Sequence, residues 1–143
     1  MNNYIKHDIN YDENKPDIVY HNVINGRNVF IIYLGSHPCA YIESIYDYYN
    51  DDNQPDVHGG LSFYNTLTHW NDVFPCFKQE FEKEYIGWDY GHYEDYIALK
   101  HCQFIDGKKY TTDEIIEEII NAIKWLDKQE NKNSLNAPKN IKK

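Results

Sequence analysis

The chain reads VHGGLSFY at residues 57–64 and YIGWDYGHYEDY at residues 85–96. In each segment an apolar or aromatic run adjoins glycine together with His or Asp, which is typical of a strand that leads into a turn. The side chains suited to chemistry are His58, Asp89, His92 and Asp95. If the two segments form neighbouring strands, these four side chains meet at one rim of a sheet. We therefore expect a single site at that rim.

The composition indicates one globular domain with a high tyrosine content. The chain has 143 residues, of which 41% are hydrophobic, and this is enough for one core. Tyrosine occurs 14 times. A tyrosine ring can be buried while its hydroxyl stays hydrated, so this content is typical of surfaces that stack on ligands. A small core built largely from tyrosine explains the same content equally well.

The net charge argues against several classes of partner. At −9, with no basic face before the C-terminal tail, the chain lacks what nonspecific binding to duplex nucleic acid requires. A small anionic ligand stays compatible with this charge, because a few local donors suffice to bind it. The chain has no apolar run near 18 residues and no signal-peptide pattern, so we expect no membrane partner and a cytosolic location.

No cofactor and no metal is predicted from the cysteines or the carboxylates. Cys39, Cys76 and Cys102 are widely spaced and odd in number, which argues against a disulfide scaffold or a thiolate zinc site. We expect them to be buried free thiols. The acidic stretch in residues 41–53 does not have the spacing of a calcium-binding loop.

The spacing Asp89-x-x-His92-x-x-Asp95 matches no local metal motif either. A hydrogen-bonding role suits it better, in which one carboxylate fixes the tautomer of His92 or His58.

The strongest local signal in the chain is a β-hairpin. Asn25-Gly26 separates the predicted strands 17–24 and 28–34, and both turn positions favour a positive φ. The second strand is apolar on both sides, which is typical of a central strand covered on both faces.

Three more strands are predicted at residues 56–64, 85–89 and 97–104. Gly59-Gly60 lies inside the first of them and indicates either a bulge or a close approach of the backbone to a ligand. Residues 41–53 are interpreted as a helical turn followed by an acidic loop.

Two helices are predicted, one of them between strands. Thr111 and Glu114 have the spacing of a capping box, which starts a helix that reaches about Gln129. Its apolar stripe faces the core, and Glu118 is assigned to the outward face. The inserted helix begins after Pro75, because proline breaks or starts a helix.

These elements predict an α+β fold with a mainly antiparallel β-sheet. The C-terminal α-helix packs on one face of the sheet, and a helical insertion lies between two strands. Residues 1–130 form a single compact domain, and residues 131–143 form a flexible polar and basic tail.

The motifs resemble those of a widespread family of small phage and prophage proteins. The segments that carry the resemblance are Gly35-x-His37-Pro38, the run Val57–Phe63 and the run Ile86–Tyr96. The family has a GHP turn, then VHGGLTY, then GFD-x-AH-x-GD-Y, then a C-terminal helix. The resemblance covers roughly residues 29–126. Here Trp88, Gly91 and Glu94 replace the family's phenylalanine, alanine and glycine.

The resemblance implies a phage origin and action in the cytoplasm of an infected host cell. Phages carry compact proteins that counter host defences based on nucleotide signals such as cyclic ADP-ribose derivatives or cyclic dinucleotides. Some of these proteins sequester the signal and others cleave it, and they are often homo-oligomers. By analogy with them, we expect a homo-oligomer that sequesters such a ligand without turnover.

In this hypothesis the rim and its neighbours bind the ligand. Aromatic rings stack on adenine, glycine amides approach a pyrophosphate, histidines donate to phosphate or ribose, and carboxylates accept from ribose hydroxyls. The candidate binding residues are His37, His58, Gly59, Gly60, Trp88, Asp89, His92, Asp95 and Tyr96. The cations expected nearby are Arg27, Lys100, His101, Lys108 and Lys109.

Two alternatives stay open. In the first, the protein is a hydrolase, such as a phosphodiesterase, with His58 and His92 as acid and base and with Asp89 or Asp95 orienting one of them. In the second, the protein binds and blocks a basic host protein through its acidic surface and exposed tyrosines, and the His/Asp cluster is structural.

Overall fold

The fold is an antiparallel sheet with a long C-terminal helix on one face, in a computed structural model that describes residues 4–92, 95–99, 102–103 and 107–136. The six strands lie in the order β1-β2-β3-β4-β6-β5. Their bounds are β1 Ile5–Lys6, β2 Asp17–Ile24, β3 Arg27–Tyr33, β4 Pro38–Glu43, β5 Phe63–Thr66 and β6 Glu84–Asp89. The helices are α1 Lys78–Phe81 and α2 Thr112–Asn136. The predicted α+β class is confirmed.

The predicted hairpin is confirmed in its turn geometry. Asn25 and Gly26 have φ values of 52° and 79°, and Ile24 pairs with Arg27 across the turn. Two successive left-handed residues match the right-handed twist of the flanking strands, which is why asparagine and glycine are favoured there.

Strand β3 is the central strand that its sequence predicted. Its residues from Val29 to Tyr33 are all buried, and they alternate between two apolar clusters. Val29 and Ile31 join the cluster that includes Ile119 of α2. On the opposite face, a second cluster is covered by the segment between β5 and β6, with Phe30, Ile32, Leu67, Phe77 and Phe81 among its members.

Several predicted boundaries were wrong. Residues 38–43 form β4 between β3 and β6, and the helical turn expected after residue 41 is the 3-10 turn Tyr48–Asn50. The strand predicted at 56–64 is restricted to β5, because Gly59 and Gly60 adopt positive φ, which a strand does not have. The inserted helix does begin at Pro75 as predicted, but it is short, since the 3-10 turn Pro75–Phe77 leads into the single turn α1; a separate 3-10 turn, Thr68–Trp70, precedes it.

The strand predicted at 97–104 is reduced to a short ladder. Strands β7 (Ala98–Leu99) and β8 (Cys102–Gln103) pair with each other outside the main sheet. Residues 100, 101 and 104 lie outside the described part of the chain.

Helix α2 is fastened at both ends. The Lys6 ammonium lies 2.9 Å from Asp113, and the Thr112 hydroxyl donates to the His7 carbonyl oxygen over 2.7 Å. Towards the other end, the Arg27 guanidinium lies 3.1 Å from Asp127 and 2.7 Å from Glu130. The helix therefore bridges the edge strand β1 and the first hairpin.

The helix is also longer than its sequence pattern predicted. It continues to Asn136, past Gln129 and into the segment expected to be flexible. Residues 137–143 of the predicted tail lie outside the described residues.

Cysteine placement follows the prediction in one case and departs from it in another. Cys39 is a buried free thiol, whereas Cys76 is exposed because it lies on the outer side of the Pro75–Phe77 turn. The side chain of Cys102 lies outside the described residues.

No helix in the described part of the chain combines the length and apolar character needed to cross a bilayer.

The capping box of α2 gives a stability prediction. The Thr111 amide donates to Glu114 Oε1 over 2.9 Å, and the Glu114 amide donates to Thr111 Oγ1 over 3.1 Å. We expect Thr111→Ala to lower the free energy of unfolding by about 1 kcal/mol, because one helix N–H loses its acceptor. Urea denaturation followed by circular dichroism measures the change. Thr111→Ser keeps the hydroxyl and serves as the control; an equal loss in both variants would contradict the capping role.

Candidate functional site

Three chain segments meet at one end of the sheet. Phe63 at the start of β5 pairs with Gly87 in β6, and Cys39 at the start of β4 pairs with Asp89. Because these pairings are antiparallel, the residues before β4, the residues before β5 and the residues after β6 lie at the same rim. The predicted adjacency of the two motif segments is confirmed.

The core of the site is an imidazole–carboxylate pair. His58 Nε2 lies 2.8 Å from Asp95 Oδ2, and the same oxygen accepts the His92 amide over 2.9 Å. Asp95 is 3% exposed. Since a carboxylate only accepts, the proton of a neutral His58 ring belongs on Nε2, and Nδ1 is left as an acceptor. Asp95 is therefore the carboxylate that orients His58.

Two tyrosine rings enclose His58. The Tyr90 ring stacks on the imidazole at 4.8 Å with an interplanar angle of 8°, and the Tyr110 ring lies at 5.0 Å. The Tyr110 hydroxyl is 3.5 Å from His58 Nδ1 and faces the nitrogen that Asp95 does not use. The half-buried Tyr110 was missed by the sequence analysis, because it lies outside both motifs.

Glu118 of α2 fixes His58 and Tyr90 in place through hydrogen bonds. Its Oε2 accepts the His58 amide over 2.8 Å, and its Oε1 accepts the Tyr90 hydroxyl. Burial and the Glu118 hydrogen bond both raise the pKa of Tyr90, so its hydroxyl stays protonated and donates. The prediction that Glu118 faces outward was wrong, because its carboxylate turns towards the rim and accepts hydrogen bonds from His58 and Tyr90. Helical periodicity alone does not reveal donors supplied by other segments.

Trp88 belongs to this support and does not reach the surface. It is 1% exposed, and its Nε1 donates to the Tyr90 hydroxyl over 2.9 Å. The prediction that Trp88 contacts a ligand is corrected for that reason, since the ring is part of the core under α2.

His92 packs directly against the loop of residues 57–62, which we call the glycine loop because it contains Gly59 and Gly60. A Cβ placed on Gly59 would lie 2.2 Å from His92 Nε2, so only glycine leaves room for the ring. His92 Nε2 is covered and has no hydrogen-bond partner among the described residues, and Asp89 Oδ1 is 3.5 Å away. The rest of the ring is accessible, since 40% of the side chain is exposed. Its centroid lies 5.5 Å from that of His58.

Asp89 and His37 complete the rim. Asp89 Oδ1 accepts the Gly91 amide over 2.9 Å, and Ser62 Oγ lies 3.3 Å from Asp89 Oδ2. His37 packs on Gly91, where an added Cβ would come within 2.8 Å of its ring. Burial lowers the pKa of His37, so its imidazole is neutral near pH 7.

The remaining predicted residues lie at the margin. The Gly60 amide donates to the Val57 carbonyl oxygen over 2.9 Å, and the space around a Gly60 Cβ is open. The Tyr96 ring packs edge-on against Tyr11 at 5.6 Å and lies under the Lys109 ammonium at 4.6 Å.

Among the predicted cations that the structure describes, Lys108 is the one that adjoins the His58–Asp95 pair. It forms a β-bridge with Asp95, and its ammonium lies 4.4 Å from the centroid of the Tyr110 ring and 3.1 Å from Glu114. Arg27 was misplaced by the prediction, because it is bound to α2 in the ion pairs described above. Lys100 and His101 lie outside the described residues.

Comparisons with protein-family models, with curated proteins and with solved structures find no match for this chain. Within residues 4–92, 95–99, 102–103 and 107–136, no group of three or more His, Cys, Asp or Glu side chains is arranged to hold a metal ion. The described His, Asp and Tyr side chains of the rim can form hydrogen bonds, transfer protons and stack on a ligand.

The two loop glycines offer a matched pair of variants. Gly59 and Gly60 both have positive φ, at 71° and 82°, so alanine introduces similar backbone strain of about 1–2 kcal/mol at either position. Only Gly59→Ala adds a clash with His92. We expect Gly59→Ala to lower the free energy of unfolding further than Gly60→Ala and to shift the NMR signals of the His92 ring. Equal effects would show that the Gly59–His92 contact does not shape the site.

The tautomer of His58 provides a direct test of the pair. In two-bond ¹H–¹⁵N correlation spectra, we expect neutral His58 as the Nε2–H tautomer, because Asp95 accepts from that nitrogen. Asp95→Asn should weaken this preference, and the exposed His69 serves as an internal reference. A predominant Nδ1–H tautomer in the unmodified protein would refute the pairing.

Proposed function

We propose that this rim binds and sequesters a nucleotide-derived immune signal, of the cyclic ADP-ribose or cyclic dinucleotide type, without turnover. The observation that carries the proposal is that histidines from three separate segments lie at one rim: His58 and His92 adjoin each other at the glycine loop, and His37 packs on Gly91 next to His92. In line with the resemblance to phage proteins, the proposed setting is the cytoplasm of an infected host cell.

The phosphate groups are assigned to the glycine loop. Gly59 is exposed and the space over Gly60 is open, so a ligand can approach the backbone closely. His58 and the exposed part of His92 flank this position, and each can donate to a phosphate oxygen when protonated. Lys108 adds positive charge beside Tyr110, which offsets part of the −9 net charge locally.

The base and the ribose are assigned to Tyr110 and Asp89. With Trp88 buried, Tyr110 is, among the described residues, the tyrosine in contact with His58 that is partly open to solvent, and such rings stack on bases with little sequence preference. Asp95 is buried and already accepts two donors. Asp89 also accepts two donors, but 27% of its side chain is exposed, so it is the carboxylate that a ribose hydroxyl can reach.

A second candidate function, cleavage of the same ligand, is favoured by the Asp95–His58 pair. A histidine that is oriented by a buried carboxylate, with Nδ1 left as an acceptor beside the Tyr110 hydroxyl at 3.5 Å, is a candidate general base. Cleavage of a phosphodiester also needs a proton donor for the leaving oxygen. His92 Nε2 is covered and packs against Gly59, so His92 could supply this proton only from the exposed part of its ring.

A homo-oligomer is part of the proposal. The rim is open on its outer side at Gly59 and Gly60, and a second copy placed there would enclose a ligand that one chain holds on one side only. Sedimentation with and without bound ligand measures this directly.

The proposal is tested by retention of a defined panel of ligands. The purified protein is incubated with cyclic ADP-ribose and with cyclic dinucleotides, freed of unbound molecules, denatured by heat and analysed by mass spectrometry. We expect one panel member to be recovered intact. His58→Ala should weaken its binding at least tenfold, about 1.4 kcal/mol, and His69→Ala, at an exposed histidine outside the rim, should not.

The other outcomes separate the alternatives. Recovery of a cleaved product that His58→Ala abolishes would replace sequestration by hydrolysis. Neither retention nor product across the panel would overturn both functions for these ligands and would leave the His/Asp cluster a structural network.

A further inference from the structure

A second surface feature lies away from the rim, in the loop after β4. This loop, residues 44–54, presents three large apolar or aromatic side chains to solvent: Ile45 is 77% exposed, Tyr46 50% and Tyr49 43%. Isolated exposed apolar residues need no explanation, but three within five positions form a patch typical of a protein interface. We name it the Ile45 loop.

The Ile45 loop is held rigidly by its own hydrogen bonds. The Ser44 hydroxyl donates to the Tyr46 carbonyl oxygen over 2.8 Å, and the Asp47 carboxylate accepts from both the backbone and the side chain of Asn50. Tyr48 is buried and packs edge-on against Trp125 of α2 at 5.4 Å. Because little freedom is left to lose, a partner binds this loop at low entropic cost.

Negative charge surrounds the patch. The sequence has no Lys or Arg between Arg27 and Lys78. Asp47, Asp51 and Asp52 lie within the loop. The Tyr64 hydroxyl lies within hydrogen-bond distance of both the Ile45 carbonyl oxygen, at 3.1 Å, and Glu84, at 2.9 Å, which places a further carboxylate near Ile45.

Arg27 is the last cation in the sequence before the loop, and it does not neutralise the carboxylates of the loop. Its side chain is 12% exposed and is bound to Asp127 and Glu130. Within the loop, Asp51 accepts the Tyr46 hydroxyl and the Asn53 amide, whereas Asp52 is exposed. The negative charge at these two positions can therefore attract the cations of a partner.

We infer that the Ile45 loop is a docking surface for a basic protein segment, with Lys or Arg flanking an apolar side chain. The apolar side chain of the segment would pack on Ile45 and Tyr49, and its cations would face Asp51 and Asp52. A second copy of this chain is a poor occupant, because a two-fold contact would bring the same carboxylates together. This surface is independent of the proposed ligand site.

Defined peptides test the inference. The probes are short synthetic peptides with Leu or Trp at the centre and Lys or Arg on both sides, each paired with a version carrying Glu instead. We expect the basic peptides to shift the NMR signals of residues 44–54 and the acidic versions not to. Binding should weaken strongly in about 1 M salt, where the Debye length is about 3 Å.

Two substitutions at exposed apolar residues provide the matched comparison. Ile45→Ser should weaken binding at least tenfold, whereas Val73→Ser, at a residue 50% exposed on another segment, should leave it unchanged. Asp52→Asn should reduce the salt dependence.

Three results would overturn the inference. They are equal binding of the acidic peptides, no response of residues 44–54 to any basic peptide, and loss of an oligomer on Ile45→Ser in sedimentation. The last result would assign the patch to self-association.

Discussion

The backbone pairing of β6 with two neighbours is the constraint on which the rest of the molecule depends. Strand β6 hydrogen-bonds to β4 on one side and to β5 on the other, both antiparallel. Gly87 makes this packing feasible, because a side chain there would lie 2.7 Å from the Tyr41 ring. Three polar turns are thereby fixed at one end of the sheet, although they are far apart in sequence.

The site that results is built on one buried carboxylate, Asp95, and one half-buried carboxylate, Glu118. Burying a charge is costly unless its acceptor capacity is used. Asp95 meets this condition with the His58 ring and the His92 amide, and Glu118 meets it with the His58 amide and the Tyr90 hydroxyl. Such saturation fixes the imidazole in one orientation, which is what either ligand binding or proton transfer requires.

Local patterns gave the predictions that were confirmed. The Asn25-Gly26 turn and the Thr111/Glu114 cap depend on residues at most three positions apart, and the same side chains act in the structure as in the pattern. The joining of His58 to the 89–95 segment was also predictable, because both motifs place glycine beside polar residues at strand ends.

What sequence reasoning missed depended on contacts between distant segments. A Gly-Gly pair does not reveal the sign of φ, so the loop at 57–62 was taken for a strand. The helical periodicity of α2 gives Glu118 the same position as an outward-facing glutamate. It does not show that Glu118 accepts a hydrogen bond from the His58 amide, sixty positions away in the sequence. Trp88 was wrongly predicted to contact a ligand. The motif shows that a tryptophan lies near the polar residues, but only the packed sheet shows that its ring is buried.

The double fastening of α2 has a consequence for how the molecule opens. With its first turn bound to Lys6 of β1 and to the adjacent His7, and its later turns bound to Arg27, the helix cannot leave the sheet without releasing both. We therefore expect sheet and helix to unfold as one cooperative unit, in which amide hydrogens of β3 and of the middle of α2 exchange only through global unfolding. The Ile45 loop and the rim, attached to this unit, keep their relative positions for as long as it stays folded.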